Sequence, residues 1–348
     1  RASFVAMSDA LADQLSFLSI RGPHPQLGGP LTQVPPVLQR RFAGPGGRFD
    51  GKPVELPAAT ASNGNGARFH TYPDQVTALP GPRFDARGRR RSVMPLLKFN
   101  GSRPVWSAEL LHTLSNVRRN SSGTLSPPHY PHAAEDIALA MQTFLRPRAR
   151  RLRVAVFSAI TPWVEAALLG LPELQHANLT TIDWNQPILA ARHTLAPAWR
   201  RLRTLGQAEL ARHYARGERF DAIVAFSGIE HDGLGRYGDP LNPEGDLAAI
   251  SEMGALLARG GLLLLGVPTA VLDDVVYPRH RLYGPGRLPW LLRGWTLLGR
   301  VWDGRVVRGG LETAPQPPSL YGEAATSQHD LDYIFTHQPV LALSRSGL

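Results

Sequence analysis

The chain contains no cysteine among its 348 residues. Disulfides, zinc–thiolate sites and iron–sulfur clusters are therefore excluded. Lysine is nearly missing too, with only Lys52 and Lys98, so the formal net charge of +10 is an arginine charge. No apolar run reaches the roughly 18 residues that a membrane span requires. The opening stretch does not read as a secretory signal, and a targeting segment lost before Arg1 stays open. The opening RASFVAMSDALADQLSFLSI places Asp9 and Asp13 among apolar residues, and Phe4, Met7, Leu11, Leu15 and Leu18 share a helical face. The chain starts at Arg1 rather than Met, which reads as a fragment or a trimmed product. The compartment stays unknown, with a cytoplasmic one favoured by the missing cysteine and signal. Three sequons, at Asn100, Asn120 and Asn178, pull the other way and are expected to be accidental, Asn178 falling in an expected buried strand.

What is present is unevenly spread. Residues 1–150 hold 19 of the 38 Lys+Arg and only 9 of the 28 Asp+Glu, whereas the remainder is neutral. The densest basic cluster is Arg87–Arg91, RGRRR. Residues 21–90 are crowded with Pro, Gly, Asn and Arg and keep no period beyond a few residues. Such composition buries too little apolar surface to offset chain entropy. We therefore expect a basic, largely irregular region over 1–131 and an α/β domain over 132–348, with the packed core beginning near residue 132. WSAELLHTL predicts one short helix before that boundary.

From residue 132 the texture changes, and the overall hydrophobic fraction of 43% allows a real core. AAEDIALAMQTFL has helical spacing. RVAVFSA reads as a buried strand, followed by the helix TPWVEAALLG with Thr161 as N-cap, Pro162 in first position and Gly170 as its stop. LTTIDWN is a second strand and RLRTL a weak third. AELARHYARG is a helix and FDAIVAFSG a fourth strand. DLAAISEMGALLARGG is a helix with Asp246 as N-cap and Gly260–Gly261 at its C-terminal end. LLLLGVP is a fifth strand, with WTLLGRVW and QPVLALSR as last ones. Apolar strands alternating with helices predict a doubly wound, mostly parallel sheet covered on both faces.

In such sheets ligands bind beyond the carboxyl ends of the strands. After the first strand a dinucleotide fold would show Gly-x-Gly-x-x-Gly, which is absent here. A ligand without a pyrophosphate asks for less, so Ser158 and Ala159 are candidate cofactor contacts. Asp183 ends the second strand, near the spacing at which an acid accepts hydrogen bonds from a ribose diol. After the fourth strand comes EHDGLGRYGDPLNPEGD, residues 230–246, far longer than a connection needs. It sets Glu230 as a further cofactor contact, and His231 and Asp232 as catalytic candidates. Histidine's unperturbed pKa lies near neutrality, which makes His231 the candidate general base. Arg236 and Asp239 are candidate substrate contacts. Beyond the fifth strand, His280 and Arg281 are placed on the far wall of the same cleft, with Tyr283 and Arg287 in support. His231, Asp232, Asp239 and His280 match no compact metal motif, and His129 and His132 read as loop, so no metal is expected.

The order VAVFSA…PWVEA, TIDWN, FDAIVAFSGIEH, LARGGLLLLGVP resembles class I S-adenosylmethionine-dependent methyltransferases. The last block is similar to their turn before strand five. EHDGLGRYGDPLNPEGD together with PRHRLYGPGRL resembles an uncharacterised family, a domain of unknown function with a methyltransferase-like fold, over roughly residues 132–310. The resemblance implies that the first turn and Asp183 hold the methionine and ribose parts of the cofactor. The chain departs from the glycine-rich first turn of these enzymes, having Phe157-Ser158-Ala159. It also lacks an Asn/Asp-Pro-Pro-Tyr motif, so methylation of base amino groups has no support. The expected function is methyl transfer from S-adenosylmethionine to a small polar acceptor, such as a sugar or glycan hydroxyl. Two rivals stay open: a catalytically silent domain that binds a nucleotide or a protein partner, and a basic adaptor for nucleic acid.

Overall fold

The structure is a computed structural model that describes residues 97–100, 103–119, 125–126, 130, 132–146, 151–234, 242, 244–269, 274–276, 280–283, 287–309 and 338–346. The expected irregular stretch 21–90, the candidates Arg236 and Asp239, and His129 lie outside the described residues.

The chain enters through β1 (Lys98–Asn100) and β2 (Arg103–Trp106), an antiparallel pair, and then α1 (Ala108–Arg119) and α2 (Ala133–Phe144). β3 (Arg153–Phe157), α3 (Trp163–Leu168) and β4 (Asn178–Ile182) follow. The two-residue β5 (Ile188–Leu189) pairs in parallel with β2. Next come β6 (Leu202–Leu205), α4 (Gln207–Ala215), β7 (Phe220–Phe226), α5 (Gly245–Leu256) and β8 (Leu257–Gly266). The short hairpin β9 (Asp274–Val276) and β10 (His280–Leu282) precedes α6 (Arg287–Leu291). β11 (Trp295–Trp302), β12 (Arg305–Arg308) and β13 (Val340–Arg345) close the fold.

Eight strands form one sheet in the order β12-β11-β13-β8-β7-β3-β4-β6. The pairs from β8 through β6 are parallel; β13, β11 and β12 join antiparallel. Because successive side chains point to opposite faces, Val154, Val156, Leu179, Val224 and Leu264 meet α1, α2 and α3 in one apolar cluster. Ala155, Ile182, Ile223, Leu263 and Leu343 meet α4, α5 and α6 in the other. Helices cover both faces, which is the expected doubly wound, mostly parallel sheet. All seven residues of β7 are buried, which explains why it reads in the sequence as an unbroken apolar run.

Several local details differ from the sequence reading. The core reaches upstream of residue 132: Trp106, Leu110, Leu111 and Leu114 are all buried in the first cluster. Trp106 donates its indole N–H to the carbonyl of Ile160 at 2.8 Å, tying the small β1-β2-β5 sheet to the main one. The helix after β3 begins one residue later than expected, with Pro162 rather than Thr161 in the cap position and no side-chain cap. α5 is preceded by Glu244, and Asp246 lies inside it. Gly260 and Gly261 fall within β8, where the register to β7 slips between Phe220 and Ala222, instead of ending the helix. Asn178, expected in a buried strand, opens β4 and is exposed.

Candidate functional site

β3 is flanked by β4 on one side and β7 on the other, so the chain order reverses between β3 and β7. This is the switch point at which open α/β sheets bind ligands. The residues leaving these two strands are built alike. Ser158 takes φ 60° and donates its N–H to Ile182 at 2.9 Å. Ser227 takes φ 52° and donates to Gly266 at 2.9 Å. Left-handed backbone costs a non-glycine residue roughly 1–2 kcal/mol, so both turns hold strain where a ligand would approach. Gly228 lies against the first turn: a Cβ there would sit 2.5 Å from the Ser158 Cβ, which only glycine avoids. Ala159 is buried in the first apolar cluster.

Tyr130 closes over the same place. Its hydroxyl is 2.6 Å from Ser227 Oγ, and its ring meets Phe226 edge-on at 5.4 Å. Ser227 Oγ in turn donates to Glu230 Oε1 at 2.7 Å. Glu230, predicted as a cofactor contact, is thus buried and joined to the switch point through Ser227. Nothing in the local sequence around Tyr130 marks it, since its partners lie 96 and 97 positions away.

Asp183 is the first residue past β4. Its Oδ1 accepts the N–H of Asn185 at 2.7 Å. The residue as a whole is half-buried, and burial of its carboxyl pushes the pKa up to about 7 against that hydrogen bond. A second carboxyl stands near it. Glu165, on α3 and fully buried, accepts the Thr181 hydroxyl at 2.6 Å. Burial pushes its pKa up to about 7, and the charge of Asp183 adds to the rise. Glu165 was not singled out from the sequence. The signal was there, as a lone acid in the otherwise apolar helix WVEAAL.

His231 lies on a one-turn 3-10 helix, Ile229–His231, and is buried. Its Nε2 is 3.5 Å from Glu230 Oε1, and its ring faces that of buried His280 edge-on at 6.3 Å. Asp232 is half-buried. No hydrogen bond among the described residues links Asp183 to Glu230 or His231. His231 and His280 lie ring to ring, the one on the turn after β7 and the other on β10.

The two long motifs form one buried unit. Arg281, wholly buried, donates to the backbone carbonyls of Glu230 at 3.3 Å, Asp232 at 2.6 Å and Asn242 at 3.3 Å. It was expected to contact substrate, yet its guanidinium is committed to the ends of the loop. Asp246 is the hub beneath. It accepts Arg287 twice, at 2.6 and 2.9 Å, and the Tyr283 hydroxyl at 3.0 Å, while Arg281 Nε lies 3.7 Å away. Burial alone would raise the Asp246 carboxyl; the Arg281 and Arg287 charges, with the Arg287 and Tyr283 hydrogen bonds, hold it below the ordinary value instead. Gly233 takes φ 77° with Asn242 O only 2.0 Å from where a Cβ would be, so the loop can fold back only through glycine. Among the described residues no group of three or more His, Asp or Glu is placed to hold a metal ion. No described helix is long and apolar enough to cross a membrane.

Residues 153–308 match the family model described as "Caenorhabditis protein of unknown function, DUF268". The matched segment begins with β3 and ends with β12, so it contains both long motifs and the switch point. No curated protein matches the sequence. Among solved structures the fold is similar to an O-methyltransferase family protein from Burkholderia thailandensis, at 12% identity and TM-score 0.36 over 60% of this chain and 55% of that one. It is also similar to the CcbJ methyltransferase from Streptomyces caelestis, at 12% identity and TM-score 0.37 over 67% and 96%. The N-methyltransferase NodS from Bradyrhizobium japonicum WM9, solved with S-adenosylhomocysteine, matches at 16% identity and TM-score 0.36 over 69% and 99%. The chain spans about half the length of the first of these.

Proposed function

We propose that the domain binds S-adenosylmethionine over the carboxyl ends of β3, β4 and β7 and transfers its methyl group to a small polar acceptor, a sugar or glycan hydroxyl. The observation that carries this reading is the strand order, which puts its reversal between β3 and β7 with Ser158, Asp183 and Glu230 just past the three strand ends. The residues present fit the cofactor. Ser158 supplies a left-handed turn where these folds ordinarily use glycine. Asp183 is an enclosed carboxyl whose one hydrogen bond among the described residues, from Asn185, leaves its other oxygen for a ribose diol.

When bound, the cofactor supplies a methyl group that is already activated. The chain's own task is then to align the acceptor and take its proton. His231 is assigned that proton. Glu230 beside its Nε2 stabilises the imidazolium that forms. Asp232, Arg236, Asp239 and His280 are assigned to hold the acceptor, and Arg281 to fix the loop that carries the first three. A catalytically silent domain is the second reading. It is favoured by the close fit of Gly228 on Ser158, which brings the two turns of the switch point together. The nucleic-acid adaptor rests on residues 1–100, nearly all outside the described residues.

Calorimetric titration of the full chain with S-adenosylmethionine separates these readings. Saturable binding is expected, weakened by Asp183→Ala by about 1–3 kcal/mol, the cost of unpairing a buried polar partner. Absence of binding would leave the silent domain. Undiminished binding by the variant would remove Asp183 from the site.

A further inference from the structure

The opposite edge of the sheet carries a second feature, independent of the methyl-transfer reading. A cavity of about 400 Å³ opens at the amino ends of β3, β4 and β6. Arg151, Arg153, Arg192, Arg200, Arg201 and Arg203 line it, and Glu218 is the one carboxylate in the wall. Pockets of this size hold small molecules. Six arginines around one space, three of them exposed and three half-buried, concentrate positive charge that an anion would relieve.

The arginines are held in place by neutral groups, which fix their positions without cancelling their charge. Arg201 Nη1 donates to the carbonyls of Leu174 at 2.7 Å and Ala177 at 2.9 Å. Arg203 Nε donates to Thr180 Oγ1 at 2.9 Å, and Arg200 Nε to the carbonyl of Leu195 at 3.0 Å. Arg151 donates to the carbonyl of His176. Arg153 Nε is buried with no hydrogen-bond partner. Glu218 is already engaged by His213 at 3.0 Å and Arg216 at 2.9 Å, and reaches Arg203 only at 4.0 Å. Burial and the charge of Arg151 together lower the proton affinity of Arg201, as expected where like charges crowd.

We propose that this cavity is a binding site for a compact anion carrying two phosphate or sulfate groups, of which pyrophosphate is the simplest. Guanidinium forks match such oxygens two at a time. The cavity is compact, about 400 Å³, which suits a small ligand better than a polymer, which would need an extended basic stripe. The wall has Arg, Asn, Leu, Thr and Glu but no aromatic ring to stack a base.

The test is titration of the full chain with inorganic pyrophosphate, orthophosphate and sulfate at low salt, followed by calorimetry and by the thermal midpoint. One saturable pyrophosphate site is expected, at least tenfold tighter than orthophosphate, with a raised midpoint. Arg192→Gln and Arg203→Gln should each weaken it tenfold or more. The exposed Arg192 side chain makes no hydrogen bond or ion pair among the described residues, so its replacement should leave folding intact even if the Arg203 variant is unstable. Arg305→Gln, exposed on β12 at the far edge of the sheet, removes the same charge and should bind as the wild type does. An ADP arm distinguishes the source: equal affinity means that the diphosphate of a nucleotide is read, weaker affinity that a base-free anion is preferred, and both support the site. No saturable pyrophosphate binding, equal losses from Arg192→Gln and Arg305→Gln, or binding of a single-stranded oligonucleotide alone would overturn it.

Discussion

Asp246→Ala isolates the unit that holds the two long motifs together. The aspartate is fully buried, so water does not screen its pairs with Arg287 at 2.6 Å and Arg281 at 3.7 Å. A surface pair would be worth about 0–1 kcal/mol. Here the substitution leaves two guanidinium groups buried without their common carboxylate, and also strips the Tyr283 hydroxyl of its acceptor. Breaking a buried pair from one side costs about 3–5 kcal/mol. Against a total stability of about 5–15 kcal/mol, that is a large fraction. Urea unfolding at neutral pH, followed by tryptophan fluorescence, should show this loss with an unchanged dependence on denaturant. The pH dependence has a definite sign. The folded carboxyl titrates below its ordinary value, so its contribution is present above about pH 3.9 and is lost as pH falls through the folded pKa. The gap between variant and wild type should therefore narrow in acid. A loss under about 1 kcal/mol at pH 7, or a gap that widens in acid, would refute the assignment of Asp246 as the hub.

Glu165 has the opposite sign. Its folded pKa of about 7 lies above the usual carboxylate value, so stability should fall as pH rises from about 4.5 to beyond 7. Glu165→Gln should flatten that fall, by up to about 3 kcal/mol at pH 8, with the raised Asp183 leaving a residual slope; equal slopes in both proteins would show that Glu165 is not the group. For His231→Ala, turnover with an identified acceptor should drop on the order of 10²–10⁴-fold while cofactor affinity holds, as for loss of a general base. Full turnover in that variant would remove His231 from the reaction.

The apolar runs by themselves determined the sheet. RVAVF, FDAIVAF and LLLLG are too short for helices and too apolar for a half-exposed strand, so they can only lie inside a covered parallel sheet. The order of elements then placed Ser158, Asp183 and Glu230 at strand ends, since a residue's position along its strand is a local property. Partners are not local, and these only the tertiary structure decided. It took the pairing of β4 with α3 to bring Glu165 beside Asp183, and the return of the chain through β10 to turn Arg281 inward onto the carbonyls of the loop. Trp106 and α1 look like a minor helix before the domain, yet they join its core because their apolar face meets α3 and the sheet. The six arginines of the cavity at the amino ends of β3, β4 and β6 come from segments scattered between residues 151 and 203. No spacing in the sequence marks them as a group. Periodicity records which face of an element is buried, but which charge lies opposite is settled only when distant faces close on one another.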